Sequence, residues 1–155
     1  MLASGQDFLR SKFGISNTYQ RGDINALDYN RKTYFSNTHA YFRDWIQFRL
    51  SSYGKALCYD GRISESYLQF FFAKDSSAVV VLINADRSVD APQVVYAVNP
   101  HFEYADVLCE QIRPTDLKQV ADQERFNLEG IDTARIPISN TEINLPPLSC
   151  GLWMY

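Results

Sequence analysis

Tyr67-Leu68-Gln69-Phe70-Phe71-Phe72-Ala73-Lys74-Asp75-Ser76-Ser77-Ala78-Val79-Val80-Val81-Leu82-Ile83-Asn84 decides the fold class. Two runs of aromatic and β-branched residues flank four polar ones, Lys74 to Ser77. Such runs suit the pleated surface of a strand, and the polar break between them reads as a hairpin turn. Ala78 to Ile83 is apolar at every position, which predicts a central strand covered on both faces. Phe70-Phe71-Phe72 reads as packing on the two faces of a strand.

Downstream, Val94 to Val98 is a further strand, ended by Asn99-Pro100. Tyr104 to Cys109, Arg135 to Ile138, Thr141 to Leu145 and Gly151 to Tyr155 complete the set. Pro146-Pro147 must separate the last two, because proline gives no N–H to a ladder. Asn84 and Asn99 read as strand-end turn residues. Residues 114–132 are polar and carry no clear period. Short strands between regular turn signals predict an antiparallel β-sandwich.

Upstream, residues 34–53 predict one amphipathic helix. Phe35, His39, Phe42, Trp45, Ile46, Arg49, Leu50 and Tyr53 recur at steps of three and four, hence on one face. Ser36 or Asn37 suits the N-cap, and Gly54 suits the stop. Each large apolar side chain on this stripe stabilises by about 1.5–3 kcal/mol when buried, so the helix needs a partner. Residues 1–31 are polar and loop-like, with a short helix expected over Gln6 to Lys12. The expected fold is therefore mainly β: an antiparallel β-sandwich over 55–155, preceded by a loop and one amphipathic α-helix within 1–54.

Composition sets outer bounds. The chain has 155 residues, 46% hydrophobic and 21% charged, enough for one packed core and unlike a disordered tail. A net charge of −3 without a Lys/Arg stripe argues against nucleic acid and against an anionic membrane surface. No apolar run approaches the roughly 20 residues needed to cross a bilayer, and the first residues do not read as a signal peptide. Cys58, Cys109 and Cys150 have neither zinc-ligand nor disulfide spacing, so they read as buried, reduced thiols, which favours the cytoplasm. No metal or cofactor is expected. His39, on the apolar helix stripe, reads as a packing residue, and His101 as a turn residue; neither is spaced to activate a cysteine.

Gly5-Gln6-Asp7-Phe8-Leu9-Arg10-Ser11-Lys12-Phe13-Gly14, then Asn17-Thr18-Tyr19, Asp23, Asn25 and Leu27-Asp28-Tyr29 form an ordered string. It resembles the segment after the last barrel strand of pullulanase-type debranching enzymes, in the alpha-amylase superfamily. The helix end Trp45-Ile46-Gln47-Phe48-Arg49 resembles that family's last barrel helix. Ile143-Asn144-Leu145-Pro146-Pro147-Leu148-Ser149 resembles the closing strand of its C-terminal sandwich. Three departures stand out. One residue separates Asp23 from Asn25 where relatives usually have two, Ala26 stands where many carry Arg, and Tyr29 replaces Trp.

The resemblance implies a parent enzyme that hydrolyses α-1,6 branch linkages in α-glucans such as pullulan, with retention. Retention requires a carboxylate nucleophile and a carboxyl acid/base about 5–5.5 Å apart. In a (β/α)₈ barrel those groups come from loops around the whole ring. The resemblance aligns this chain after nearly all of them, so it assigns no catalytic residue here and implies an inactive isolated piece. Its partners would be the upstream catalytic barrel and, through the parent, the α-glucan; calcium use by the parent stays open. Asp23 and Asn25 would contact sugar hydroxyls in the intact enzyme, and Tyr19 would stack on a ring or anchor its own loop. Arg10 and Lys12 would hold the loop. The excised helix would expose an apolar face and drive self-association. The alternative is a stand-alone α-glucan-binding or interaction module.

Overall fold

The computed structural model describes residues 2–58, 61–113, 117–132 and 141–155. It divides into two compact units, Met1–Ile46 and Gln47–Tyr155.

In the first unit, a 3₁₀ turn at Gln6–Phe8 precedes two single-turn helices, α1 (Gly22–Asn25) and α2 (Arg31–Tyr34). The 3₁₀ turn is shorter than the expected Gln6-to-Lys12 helix because Leu9 takes a left-handed φ of 53°. Helix α3 (Ser36–Leu50) follows and carries the division between the units. The expected helix over 34–53 is thus interrupted at Phe35, whose φ/ψ of −112°/41° is not helical. A second 3₁₀ segment occupies Tyr53–Cys58. Gly54 lies inside it and not at a helix stop. An added Cβ there would stand 2.7 Å from Arg49 Cα, so glycine answers a close backbone approach.

Among the described residues, the second unit holds seven antiparallel strands: β1 (Leu68–Phe72), β2 (Val79–Ile83), β3 (Val94–Asn99), β4 (Ala105–Leu108), β5 (Lys118–Asp122), β6 (Glu142–Leu145) and β7 (Ser149–Met154). One sheet has the order β1-β2-β3-β7-β5 and the other pairs β4 with β6. The predicted hairpin is present, pairing Leu68 with Ile83 and Phe72 with Val79. Between the sheets lies a sandwich core built from alternate positions: Val80 and Leu82, Val95 and Ala97, Trp153, then Val107, Ile143 and Leu145 from the smaller sheet. The fold is the expected mainly-β sandwich preceded by a helix.

Three further details differ from the sequence reading. Strand β2 is fully buried on its inner face only; Val79, Val81 and Ile83 on the outer face are half-buried. The buried aromatic of α3 is Phe48, which meets Phe126 at 5.6 Å, whereas Leu50 on the expected stripe is 81% exposed. Strand β5 arises in the stretch that showed no period. Its alternation is hidden by a bulge between Gln119 and Ala121 and by two buried polar residues, Gln119 and Asp122. The expected strand at Arg135 to Ile138 lies outside the described residues.

Asp122 shows how a buried carboxylate is tolerated. It accepts from Arg125 Nε and Nη2 at 2.9 and 2.7 Å and from the Glu124 and Arg125 backbone N–H groups. Burial pushes its pKa up, but the Arg125 hydrogen bonds and the two backbone donors together hold it below the usual carboxylate value. A folded pKa below the unfolded one stabilises above the unfolded value of about 3.9, and that contribution is lost as pH falls through the folded pKa. The stability difference between the wild type and Asp122→Asn should therefore shrink as denaturation is followed from pH 6 towards pH 3. A constant difference would refute this account.

Candidate functional site

The three residues singled out as sugar contacts lie in the first unit, on a loop that braces itself. Gly5 opens it with φ 81°, and an added Cβ would stand 2.9 Å from Arg10 Cβ. Phe8 is buried and packs on Tyr29 at 5.7 Å. Arg10 Nη2 donates to the Asn25 carbonyl at 2.7 Å, and Arg31 Nη2 donates to the Leu9 carbonyl at 2.6 Å. His39 Nδ1 lies 2.7 Å from Asp7 Oδ2, so this histidine is a hydrogen-bonded tie rather than an apolar packing residue.

Thr18 is the centre of the loop and is buried. Its Oγ1 accepts from Lys12 Nζ at 2.7 Å and donates to Asn25 Oδ1 at 2.8 Å, while Asn25 Nδ2 donates to the Thr18 carbonyl. Arg10 and Lys12 thus hold the loop, as expected from the sequence. Asn25 keeps one amide N–H and one carbonyl lone pair for another partner. Asp23 sits two residues earlier in α1, and neighbours two apart in a helical turn point away from each other. It accepts both Arg21 Nε and Nη2, at 2.9 and 2.7 Å, on the open surface. The Arg21 hydrogen bonds hold its carboxyl below the usual range. Asp23 and Asn25 therefore serve different partners. Tyr19 is 78% exposed, so it does not anchor its loop by burial.

The thiols are free among the described residues. Cys109 is buried, which pushes its pKa up to about 12, and Cys150 is raised by burial and by Asp122. Cys58 is exposed, contrary to the expectation that all three are buried. His101 Nε2 accepts the Ser77 N–H at 3.0 Å, far from any thiol role. Among the described residues, no group of three metal-ligating side chains converges and no helix is long and apolar enough to cross a membrane.

The second unit carries a concavity that the sequence did not announce. A cleft of about 940 Å³ opens between the β1–β2 turn and the β3–β4 connection, with Phe72, Phe102 and Tyr104 on its walls. No periodicity marks Phe102 or Tyr104, because they lie in a connection rather than on a strand face.

Neither a family model nor a curated protein matches this sequence. Solved structures do. A crystal structure of the Group B Streptococcus pullulanase SAP superposes with a TM-score of 0.63 at 13% identity, over 85% of this chain and 19% of that chain. The same pullulanase in complex with maltotetraose gives 0.61 at 12% identity, over 85% and 18%. The fold is that of part of a pullulanase. This chain spans under one fifth of the length of that pullulanase, and the match reaches into both units, since 85% of 155 residues exceeds either unit alone.

Proposed function

We propose that this chain is the C-terminal accessory part of a pullulanase-like glycoside hydrolase. Residues 1–54 would be the last barrel loop and helix, and residues 55–155 the sandwich that buttresses the barrel. The observation that carries the reading is the superposition on under one fifth of a pullulanase, in a chain whose first 31 residues already resemble the loop after the last barrel strand. The residue string and the backbone fold both support this reading. The parent would hydrolyse α-1,6 linkages in branched α-glucans, and its catalytic carboxylates would lie upstream.

In the assembled enzyme, Asp23, Asn25 and Tyr19 would rim the pocket. The exposed Tyr19 ring offers a stacking face, and the spare amide groups of Asn25 suit sugar hydroxyls. Asp23 would have to share its carboxylate with Arg21. Ile46, Leu50 and Tyr53, exposed at 44%, 81% and 47%, supply apolar surface that an upstream barrel would cover.

Immunoblotting a lysate of the source organism tests the reading. A band several-fold larger than 17.8 kDa is expected, together with no pullulan hydrolysis by the pure 155-residue chain and its sedimentation as more than a monomer. A native band near 17.8 kDa, or turnover of pullulan by the pure chain, would overturn the assignment.

A further inference from the structure

The cleft of the second unit has the chemistry of a sugar site. Its floor and walls come from the end of β1, the β1–β2 turn, the β3–β4 connection and β4. Edge strand β1 runs close to β4, and the β1–β2 turn is tied across to the β3–β4 connection by the Ser77 N–H on His101 Nε2. The connection itself is pinned by Asn99, which receives the His101 N–H and donates to the Glu103 carbonyl at 2.8 Å. Against this fixed backbone three aromatic rings remain in water: Phe72 at 68%, Phe102 at 84% and Tyr104 at 68% exposure. These three rings line one concavity rather than standing singly on the surface.

The polar groups narrow the ligand. Among the described residues that line the cleft, Asp75, Glu103 and Asp106 stand against one ammonium, Lys74. This surplus of negative charge repels phosphates, nucleic acids and acidic sugars. A neutral sugar meets both features: its C–H face lies on an aromatic ring, and its hydroxyls donate to carboxylates. The volume lies within the range of small-molecule sites.

We propose that this cleft is an α-glucan-binding site on the sandwich, separate from the loop of Tyr19, Asp23 and Asn25 and used to hold a chain of the polymer. The sugar class follows from the cleft; the choice of an α-glucan rests on the proposed pullulanase-like parent.

Calorimetric titration of the 155-residue chain with maltoheptaose tests it, with cellohexaose and a tetra-lysine peptide as competitors for the assignment. Binding at millimolar or tighter affinity is expected, weakened about fivefold or more by Phe102→Ala and by Tyr104→Ala, as for an aromatic anchor. Tyr34→Ala, which removes an equally exposed ring in the first unit, should leave it unchanged. All three rings are surface groups, so an unchanged unfolding midpoint checks that each variant is folded. No heat with maltoheptaose, or binding that survives both cleft variants, overturns the site. Binding of tetra-lysine alone overturns the sugar class. Binding of cellohexaose but not maltoheptaose overturns the α-glucan choice and counts against the proposed family. Failure of the site alone leaves that family reading to its own test, the size of the native polypeptide.

Discussion

Gly151→Ala is expected to destabilise the sandwich by about 3 kcal/mol or more, at the upper end of overpacking effects. Gly151 and Trp153 lie two residues apart on β7, so both face the same side of the sheet. Trp153 belongs to the inter-sheet core and is 1% exposed. Its six-membered ring folds back over Gly151. An added Cβ would stand 2.7 Å from Cζ3 and closer still to Cη2. Cross-strand from Gly151 is Ala97, another small residue, so the indole occupies space that both positions leave free. The ring cannot swing away, because Val95, Val107 and Ile143 of the same core fill the space between the sheets. Equilibrium denaturation should show either a large loss of midpoint or no cooperative transition. A loss below about 1 kcal/mol would mean that the core yields, contrary to this packing account.

The fold was legible where apolar side chains alone decide the structure. The β1–β2 hairpin and strands β3, β4, β6 and β7 announced themselves because one side of each is committed to a single core. Strand β5 was not legible. Gln119 and Asp122 are polar yet buried, and the bulge breaks the period that would have exposed the pattern. The helix showed the opposite error. Its stripe at steps of three and four was present in the sequence, but Phe48, off that stripe, is the residue it buries, while Leu50 stays in water. Periodicity predicts a face, not which face finds a partner, and the proposed partner of this one lies outside the chain. The candidate loop was readable as a string of residues, since Arg10 and Lys12 brace it as expected. The pairing of Asp23 with Arg21 was not, because it depends on the single helical turn of α1. The cleft was hidden for a plainer reason: Phe102 and Tyr104 sit on a connection, Phe72 sits at the end of β1, and the walls come from residues some 30 to 70 positions apart.

Asn99→Ala should cost about 3–5 kcal/mol, although the change removes only a few atoms. Asn99 ends β3 and is 1% exposed. Its Nδ2 donates to the carbonyls of Glu103, Leu145 and Pro146 at 2.8, 3.1 and 2.9 Å, and its Oδ1 accepts the His101 N–H at 3.0 Å. One side chain therefore joins the larger sheet to the end of β6 in the smaller one and shapes the β3–β4 connection. Alanine would leave several main-chain groups unpaired where water does not reach them, each costing about 1–3 kcal/mol. The total falls short of the sum, because Nδ2 has two hydrogens shared among three acceptors. Asn99→Asp separates shape from hydrogen bonding. It keeps the acceptor for His101 but turns the donor into a second acceptor facing three carbonyls, so it should be at least as damaging as alanine. The same variants bear on function, since the connection they release carries Phe102 and Tyr104. At a temperature where Asn99→Ala is still folded, maltoheptaose binding should fall while the chain remains cooperative. An Asn99→Ala chain of undiminished stability would show that the bridge between the sheets is incidental, and that the cleft must be held in shape by the His101–Ser77 tie alone.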